Sequence, residues 1–190
     1  MYLIGITGYI GSGKTTVGQI FKDLGFVVFD MDVWCRRMYF DPEFLKIIEK
    51  NFPQSFENDI FNKKTLRNIV FSDIYQLKKI ESLTHPYLKQ KLKQTIHQYK
   101  LNQNIFFIET ALLYKMGLDQ YCAKTIITHA PYEILQNRVM KRDKINQKEF
   151  ENIFNNKDEY IDFNIADYII QTNKPLNLIK KDVIQLIQGL

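Results

Sequence analysis

At 190 residues, 45% of them apolar, the chain is long enough to bury a real core and of a length for one compact domain with insertions. Lys and Arg number 26 against 21 Asp and Glu, a net charge of +5 that suits nucleic acid and a polyphosphate ligand equally; there is no basic tail or long basic block, only the clusters 63–67, 138–144 and 180–181, where single-strand binders would interleave aromatics, so no nucleic-acid partner is expected. Cys35 and Cys122 stand apart without a CxxC or a His pair, and no signal peptide or apolar run of ~20 residues is present, which argues against a zinc site, a disulfide framework and a membrane span, and for a reduced, cytoplasmic protein.

The chain opens with a short apolar run, residues 2–7, ending at Gly8; Val17, Ile20, Phe21 and Leu24 then recur at helical spacing until Gly25. This predicts strand, glycine turn, helix. Further short, continuous apolar runs at 26–29, 105–108, 124–128 and 168–170 complete five strands, the pattern of a parallel sheet covered on both faces. About 75 residues separate the second and third of these, where a crossover needs about a dozen, which implies an inserted helical subdomain. Its longest helical pattern carries Ile74, Leu77, Ile80, Leu88, Leu92, Ile96 and Tyr99 on one face, with a bend or break expected at His85-Pro86 because proline disfavours helix in the residue before it. Pro131 opens a helix carrying Ile134, Leu135 and Arg138 toward Arg142, a charged helical segment follows to about residue 160, and a last helix spans 176–187.

The glycine turn reads Gly8-Tyr9-Ile10-Gly11-Ser12-Gly13-Lys14-Thr15, a match to GxxxxGK[ST] at every fixed position, with Thr16 next. Glycines let backbone N–H groups turn toward the β- and γ-phosphates, Lys14 adds a mobile charge, and the Thr15 hydroxyl is a magnesium ligand. The following helix turns its positive end to the anion. Strand before and helix after supply the context this phosphate loop requires, and the glycine spacing differs from that of a dinucleotide site.

Asp30-Met31-Asp32 lies at the exit of the second strand, where ligands gather in open α/β sheets. Two uses stand open for these carboxylates: accepting the proton of an acceptor hydroxyl, assigned to Asp32, and capping the next helix or supporting the site, assigned to Asp30. Glu109, closing the third strand, occupies a place suited to an acidic magnesium-associated residue. Arg138 and Arg142 are four apart and share a helix face, and their guanidiniums suit the charge of a transferring phosphoryl group.

These residues together resemble the dephospho-CoA kinase family. The resemblance runs over nearly the whole chain: ITGYIGSGKTT at the start, DLGFVVFDMD, Arg36, Thr84-His85-Pro86, Ala111-Leu112-Leu113, Arg138 to Asp143, and Ala166-Asp167 followed by Asn173. It implies a P-loop kinase fold of the α/β class, a five-stranded parallel sheet flanked by helices. The core would hold residues about 1–35, 104–137 and 163–190, with a helical acceptor-binding insertion at about 36–103 and a lid at about 138–162. It implies ATP and Mg²⁺, with the ribose 3′-hydroxyl of dephospho-CoA as acceptor. Asp32 would be the base, and Lys14 and Arg142 would stabilise the transferring phosphoryl. Arg36, His85 and Leu112 would lie on the acceptor side, Asn173 near the adenine, and the Arg-bearing segment would close to exclude water. The expected assembly is a monomer or weak homo-oligomer. The chain departs from the family at Ala111, usually proline, at Lys115, usually glutamate, and at Asn156 and Asp162, usually glutamine and a basic residue, with Lys157 able to supply the missing charge from a shifted register. A nucleoside or nucleoside-monophosphate kinase of the same architecture is the rival reading; a nucleotide-binding switch and an inactive paralogue are remoter ones.

Overall fold

The computed structural model describes residues 2–99, 104–155 and 161–190. In chain order these form β1 (Tyr2–Thr7), α1 (Lys14–Asp23), β2 (Val27–Asp30), α2 (Met31–Arg37), α3 (Pro42–Asn51), β3 (Phe56–Glu57), β4 (Ile60–Phe61), α4 (Lys63–Ser72) and α5 (Ile74–Tyr99). After these come β5 (Ile105–Glu109), β6 (Lys124–His129), α6 (Tyr132–Asp143), α7 (Gln147–Asn155), β7 (Tyr168–Gln171) and α8 (Leu176–Gln188), with short 3-10 turns between some elements. Two compact units result: Met1–Asp30 with Lys100–Leu190, and Met31–Tyr99.

The first unit is built on a five-stranded sheet in the order β2-β5-β1-β6-β7, with every neighbouring pair parallel. Each predicted strand is present, its ends moved by a residue at most. The apolar runs are continuous because both faces are buried: on one, Ile4, Ile6, Phe107 and Ile126 pack with Val17, Ile20 and Phe21 of α1 and with Ile179, Val183 and Leu186 of α8, and on the other Leu3, Phe106, Ile108 and Ile127 are buried as well. Phe21 stacks on Phe107 with ring centroids 3.9 Å apart. The order puts β1 in the middle of the sheet, so the phosphate loop that follows it emerges at the sheet's centre. Asp30 and Glu109 are register partners at the ends of β2 and β5.

The second unit is mainly helical and begins at Met31, so that Asp32 belongs to it rather than to a core running to about residue 35; it differs from expectation in two further ways. Helix α5 runs through Pro86 without a break. Proline removes one helical N–H, but burial of Ile80, Thr84, Tyr87, Leu88 and Leu92 along that stretch holds the helix on both sides of it. Of the predicted apolar face, Ile80, Leu88, Leu92 and Ile96 are buried and Leu77 is half-buried, while Ile74 and Tyr99 at its ends are exposed. The second difference is the antiparallel β3–β4 hairpin, in which Phe56 pairs with Phe61 around Asn58 and Asp59, both at positive φ (49° and 64°). Asp41 caps α3 by accepting the Glu43 N–H, and its carboxylate also takes the Tyr87 hydroxyl and the Lys91 ammonium from α5, tying the two helices together.

Candidate active site

Helix α1 begins at the end of the glycine loop, with Gly13 as its N-cap in the left-handed region at φ 91°. The N–H groups that open such a helix lack intrahelical partners, which suits the loop to an anion. The close packing of this loop explains its first glycine: a Cβ at Gly8 would lie 2.4 Å from Thr128 Oγ1 and 2.5 Å from Ser12 Oγ. Those two hydroxyls are 2.6 Å apart. Thr128 Oγ1 also lies within hydrogen-bond reach of the Thr7 carbonyl (3.2 Å), so the pair ties the loop to the ends of β1 and β6. Lys14 Nζ donates to the carbonyls of Gly8 (2.8 Å) and Tyr9 (3.2 Å), which holds the ammonium over the loop.

Thr15 Oγ1 donates to Glu109 Oε1 at 2.6 Å, a length typical of a bond to an ionised carboxylate. Glu109 is 3% exposed at the end of β5, and it fits there because residue 18 on α1 has no side chain. A hydroxyl and a carboxylate are the hard oxygen donors that Mg²⁺ takes, the ion completing its shell with phosphate oxygens and water. The two residues therefore fit the implied magnesium. Among the described residues no group of three or more His, Cys, Asp or Glu could hold a metal ion.

Arg138, on α6, donates from Nη1 to the Gly11 carbonyl (3.1 Å) and from Nη2 to the Thr172 carbonyl (2.7 Å), which brings it onto the phosphate loop beside Asn173. Arg142, one turn further on, makes a bidentate pair with its neighbour Asp143 (2.7 and 2.8 Å) at the surface. The Asp143 carboxylate raises the guanidinium's pKa further, and Arg142 in turn holds the Asp143 carboxyl below its ordinary value. Aromatic rings pack on the loop from two elements: Tyr9 meets Phe154 of α7 at 5.4 Å and Phe163, in the 3-10 turn before β7, at 6.3 Å.

In the second unit, Asp32 and Arg36 lie exposed on α2, which packs against α5, the helix of half-buried His85. Cys35 is one turn from Asp32; burial, and then the Asp32 charge, push its thiol up, so it stays protonated. Trp34 between them is half-buried.

The family model for dephospho-CoA kinase matches residues 2–177. The chain belongs to the dephospho-CoA kinase family. Among relatives of that name, the protein of Bartonella quintana is 31% identical over 194 residues, covering 100% of this chain and 98% of that one. That of Fusobacterium nucleatum is 31% identical over 189 residues, covering 94% of each. Among solved structures, TT1252 from Thermus thermophilus superposes with a TM-score of 0.83 at 26% identity, over 100% of this chain and 97% of that one. The dephospho-CoA kinase from Campylobacter jejuni gives 0.70 at 25% identity, over 98% and 95%. A shikimate kinase from Aquifex aeolicus, at 0.54 and 17% identity over 98% and 96%, shares the P-loop kinase fold.

Two of the departures from the usual dephospho-CoA kinase pattern have a local setting. Asp162 accepts the Asn164 N–H and caps a 3-10 turn at Phe163–Ile165, and the Ala111 carbonyl receives the Thr7 hydroxyl at 3.5 Å, a contact that needs no particular side chain at 111. Leu112 follows β5, its N–H held by the Thr110 hydroxyl at 3.1 Å, and Lys115 is half-buried beyond it. Asn156 and Lys157 lie outside the described residues. Among the described residues no helix is long and apolar enough to cross a membrane. Sequence reasoning passed over Thr172, a buried threonine next to Asn173, and the aromatic contacts of Tyr9; the only local signal for either was an unexplained polar residue at a strand end and a large ring inside a glycine loop.

Proposed function

We infer that the protein transfers the γ-phosphate of ATP to the ribose 3′-hydroxyl of dephospho-CoA, giving coenzyme A and ADP, the last step of coenzyme A synthesis. The observation that carries this is a complete phosphate loop inside a chain matched by the dephospho-CoA kinase model from residue 2 to 177. In this reading the loop N–H groups from Gly8 to Thr16 and the Lys14 ammonium bind the β- and γ-phosphates, and Arg138 and Asn173 lie on the nucleotide side. Thr15 and Glu109 would hold Mg²⁺, which when bound neutralises phosphate charge. Asp32 takes the proton of the 3′-hydroxyl as the oxygen–phosphorus bond forms, while the bond from the γ-phosphorus to the β-phosphate oxygen breaks and ADP leaves. Arg142, a charge that stays protonated, stabilises the transferring phosphoryl, exchanging Asp143 for it. Arg36, His85 and Leu112 bind the acceptor, and segment 138–162 closes over the reaction to keep water out. The free cysteines suit a reducing cytoplasm.

The experiment is ADP release with ATP and Mg²⁺, comparing dephospho-CoA with adenosine, nucleoside monophosphates, pantetheine phosphate and no acceptor, with the product weighed by mass spectrometry. Saturable phosphorylation of dephospho-CoA to coenzyme A is expected. Turnover with a nucleoside and silence with dephospho-CoA would overturn the acceptor and leave the kinase.

A further inference from the structure

Thr172 follows β7, is 1% exposed, and holds the phosphate loop from outside the GxxxxGK[ST] pattern. Its hydroxyl has one proton, and the shortest available acceptor is the Ser12 carbonyl at 2.7 Å, with the His129 carbonyl at 3.2 Å beside it. The same oxygen accepts Arg138 Nη1 at 3.1 Å, while the Thr172 carbonyl accepts Nη2 at 2.7 Å. One residue thus grips the guanidinium at two points, and Arg138 Nη1 also reaches the Gly11 carbonyl at 3.1 Å. The Thr172 N–H donates to His129 O at 2.8 Å, so the anchor is itself fixed to the end of β6.

The consequence follows from peptide geometry. In a planar trans peptide the C=O and the next N–H point in opposite directions. A hydroxyl that holds the Ser12 carbonyl on the outer side of the loop aims the Gly13 N–H to the inner side, where the phosphates bind. With Arg138 on the Gly11 carbonyl, two successive peptides of the loop are oriented from outside it. Gly13 accommodates this arrangement closely, for a Cβ there would lie 3.1 Å from the Thr172 side chain.

We propose that Thr172 is a positioning residue for nucleotide binding, whose hydroxyl orients the Ser12–Gly13 peptide of the phosphate loop and sets Arg138 against it. This rests on the reading of the chain as an ATP-dependent kinase. Thr172→Val keeps the shape and removes the hydroxyl; it leaves a buried carbonyl without its donor and the guanidinium with one grip instead of two.

The test measures the ATP dissociation constant by calorimetry, together with kcat and the KM of each substrate in dephospho-CoA phosphorylation. Thr172→Val is expected to weaken ATP binding and raise its KM about tenfold, with the KM for dephospho-CoA within about twofold of wild type. Thr172→Ser, which restores the hydroxyl, is expected to bind ATP within about twofold of wild type. In an Arg138→Ala background, Thr172→Val is expected to cost only about twofold more, because part of its effect passes through the arginine. Wild-type ATP affinity in Thr172→Val, a serine variant as impaired as the valine one, or an equal rise in both KM values would overturn the proposal. If circular dichroism shows Thr172→Val unfolded, Arg138→Lys carries the test, since lysine keeps the charge but cannot span Gly11 and Thr172 together; about tenfold weaker ATP binding is expected and unchanged binding overturns it. A wild-type protein inactive on dephospho-CoA would overturn the acceptor assignment alone, and the calorimetric comparison would still decide the role of Thr172.

Discussion

Gly18 offers a sharp test of the buried carboxylate, because a single methyl group there collides with it. A Cβ on residue 18 would stand 2.5 Å from Glu109 Oε2, a separation real Cβ atoms do not show, with Val28 Cγ1 at 3.6 Å closing the other side. In Gly18→Ala the helix gains about 1 kcal/mol from alanine's better propensity. The carboxylate must move, and the bond from Thr15 to an ionised group, at about 1.5–3 kcal/mol, is strained or lost. The net cost is about 0.5–2 kcal/mol, or roughly 1–8 °C in melting temperature for a chain of this size. Function should suffer more than stability, since displacing a group that orients a metal ligand typically costs about 10–100-fold in metal affinity or activity. The assay is turnover against Mg²⁺ at fixed ATP, alongside a thermal melt. The variant should need at least about tenfold more Mg²⁺ for half-maximal rate while remaining folded. A wild-type magnesium curve would mean that Glu109 moves without consequence, and would refute the reasoning.

Asp32→Asn should leave ATP affinity close to wild type while cutting turnover by about 10²–10⁴-fold, the usual worth of a general base; parallel losses in binding and rate would remove Asp32 from that role. The helix link in the second unit makes a pH-dependent prediction. Asp41's carboxyl is held below its ordinary 3.8, first by the Tyr87 hydroxyl, against the opposing pull of burial, and then by Lys91 and the Glu43 N–H. A lowered folded pKa contributes stability that is present above the unfolded value and lost as the pH falls through the folded one. Melting temperature should therefore drop in acid below about pH 4, and Tyr87→Phe, itself costing about 1 kcal/mol, should flatten that drop. Equal acid slopes in melts of the two proteins would contradict this.

The strands and the phosphate loop were legible because their signals are local. A strand buried on both faces is a continuous apolar run, and the loop's glycines, Lys14 and Thr15 must be neighbours to encircle one phosphate chain. The hairpin at 56–61 was missed although Asn58 and Asp59 tolerate the positive φ that a two-residue turn demands; two-residue strands are too short to alternate visibly. Pro86 was misjudged because its local cost is fixed by the backbone, while the burial that outweighs it comes from the rest of the unit. Thr172 was invisible for a related reason: its partner Ser12 lies 160 residues away, and nothing in QTNK marks a hydroxyl as the anchor of a loop at the other end of the chain.

Trp34 is the only tryptophan in the sequence, and it sits on α2, in the second unit, two residues past Asp32. The unit that carries the phosphate loop is therefore dark to tryptophan excitation, and the protein comes with an optical probe in the second unit alone. Emission reports on the surroundings of α2 as denaturant is added, while far-UV circular dichroism weighs the helices of both units together. Coincident unfolding curves from the two would establish one cooperative transition across units that the contact pattern separates, and divergent curves would measure how far each stands by itself.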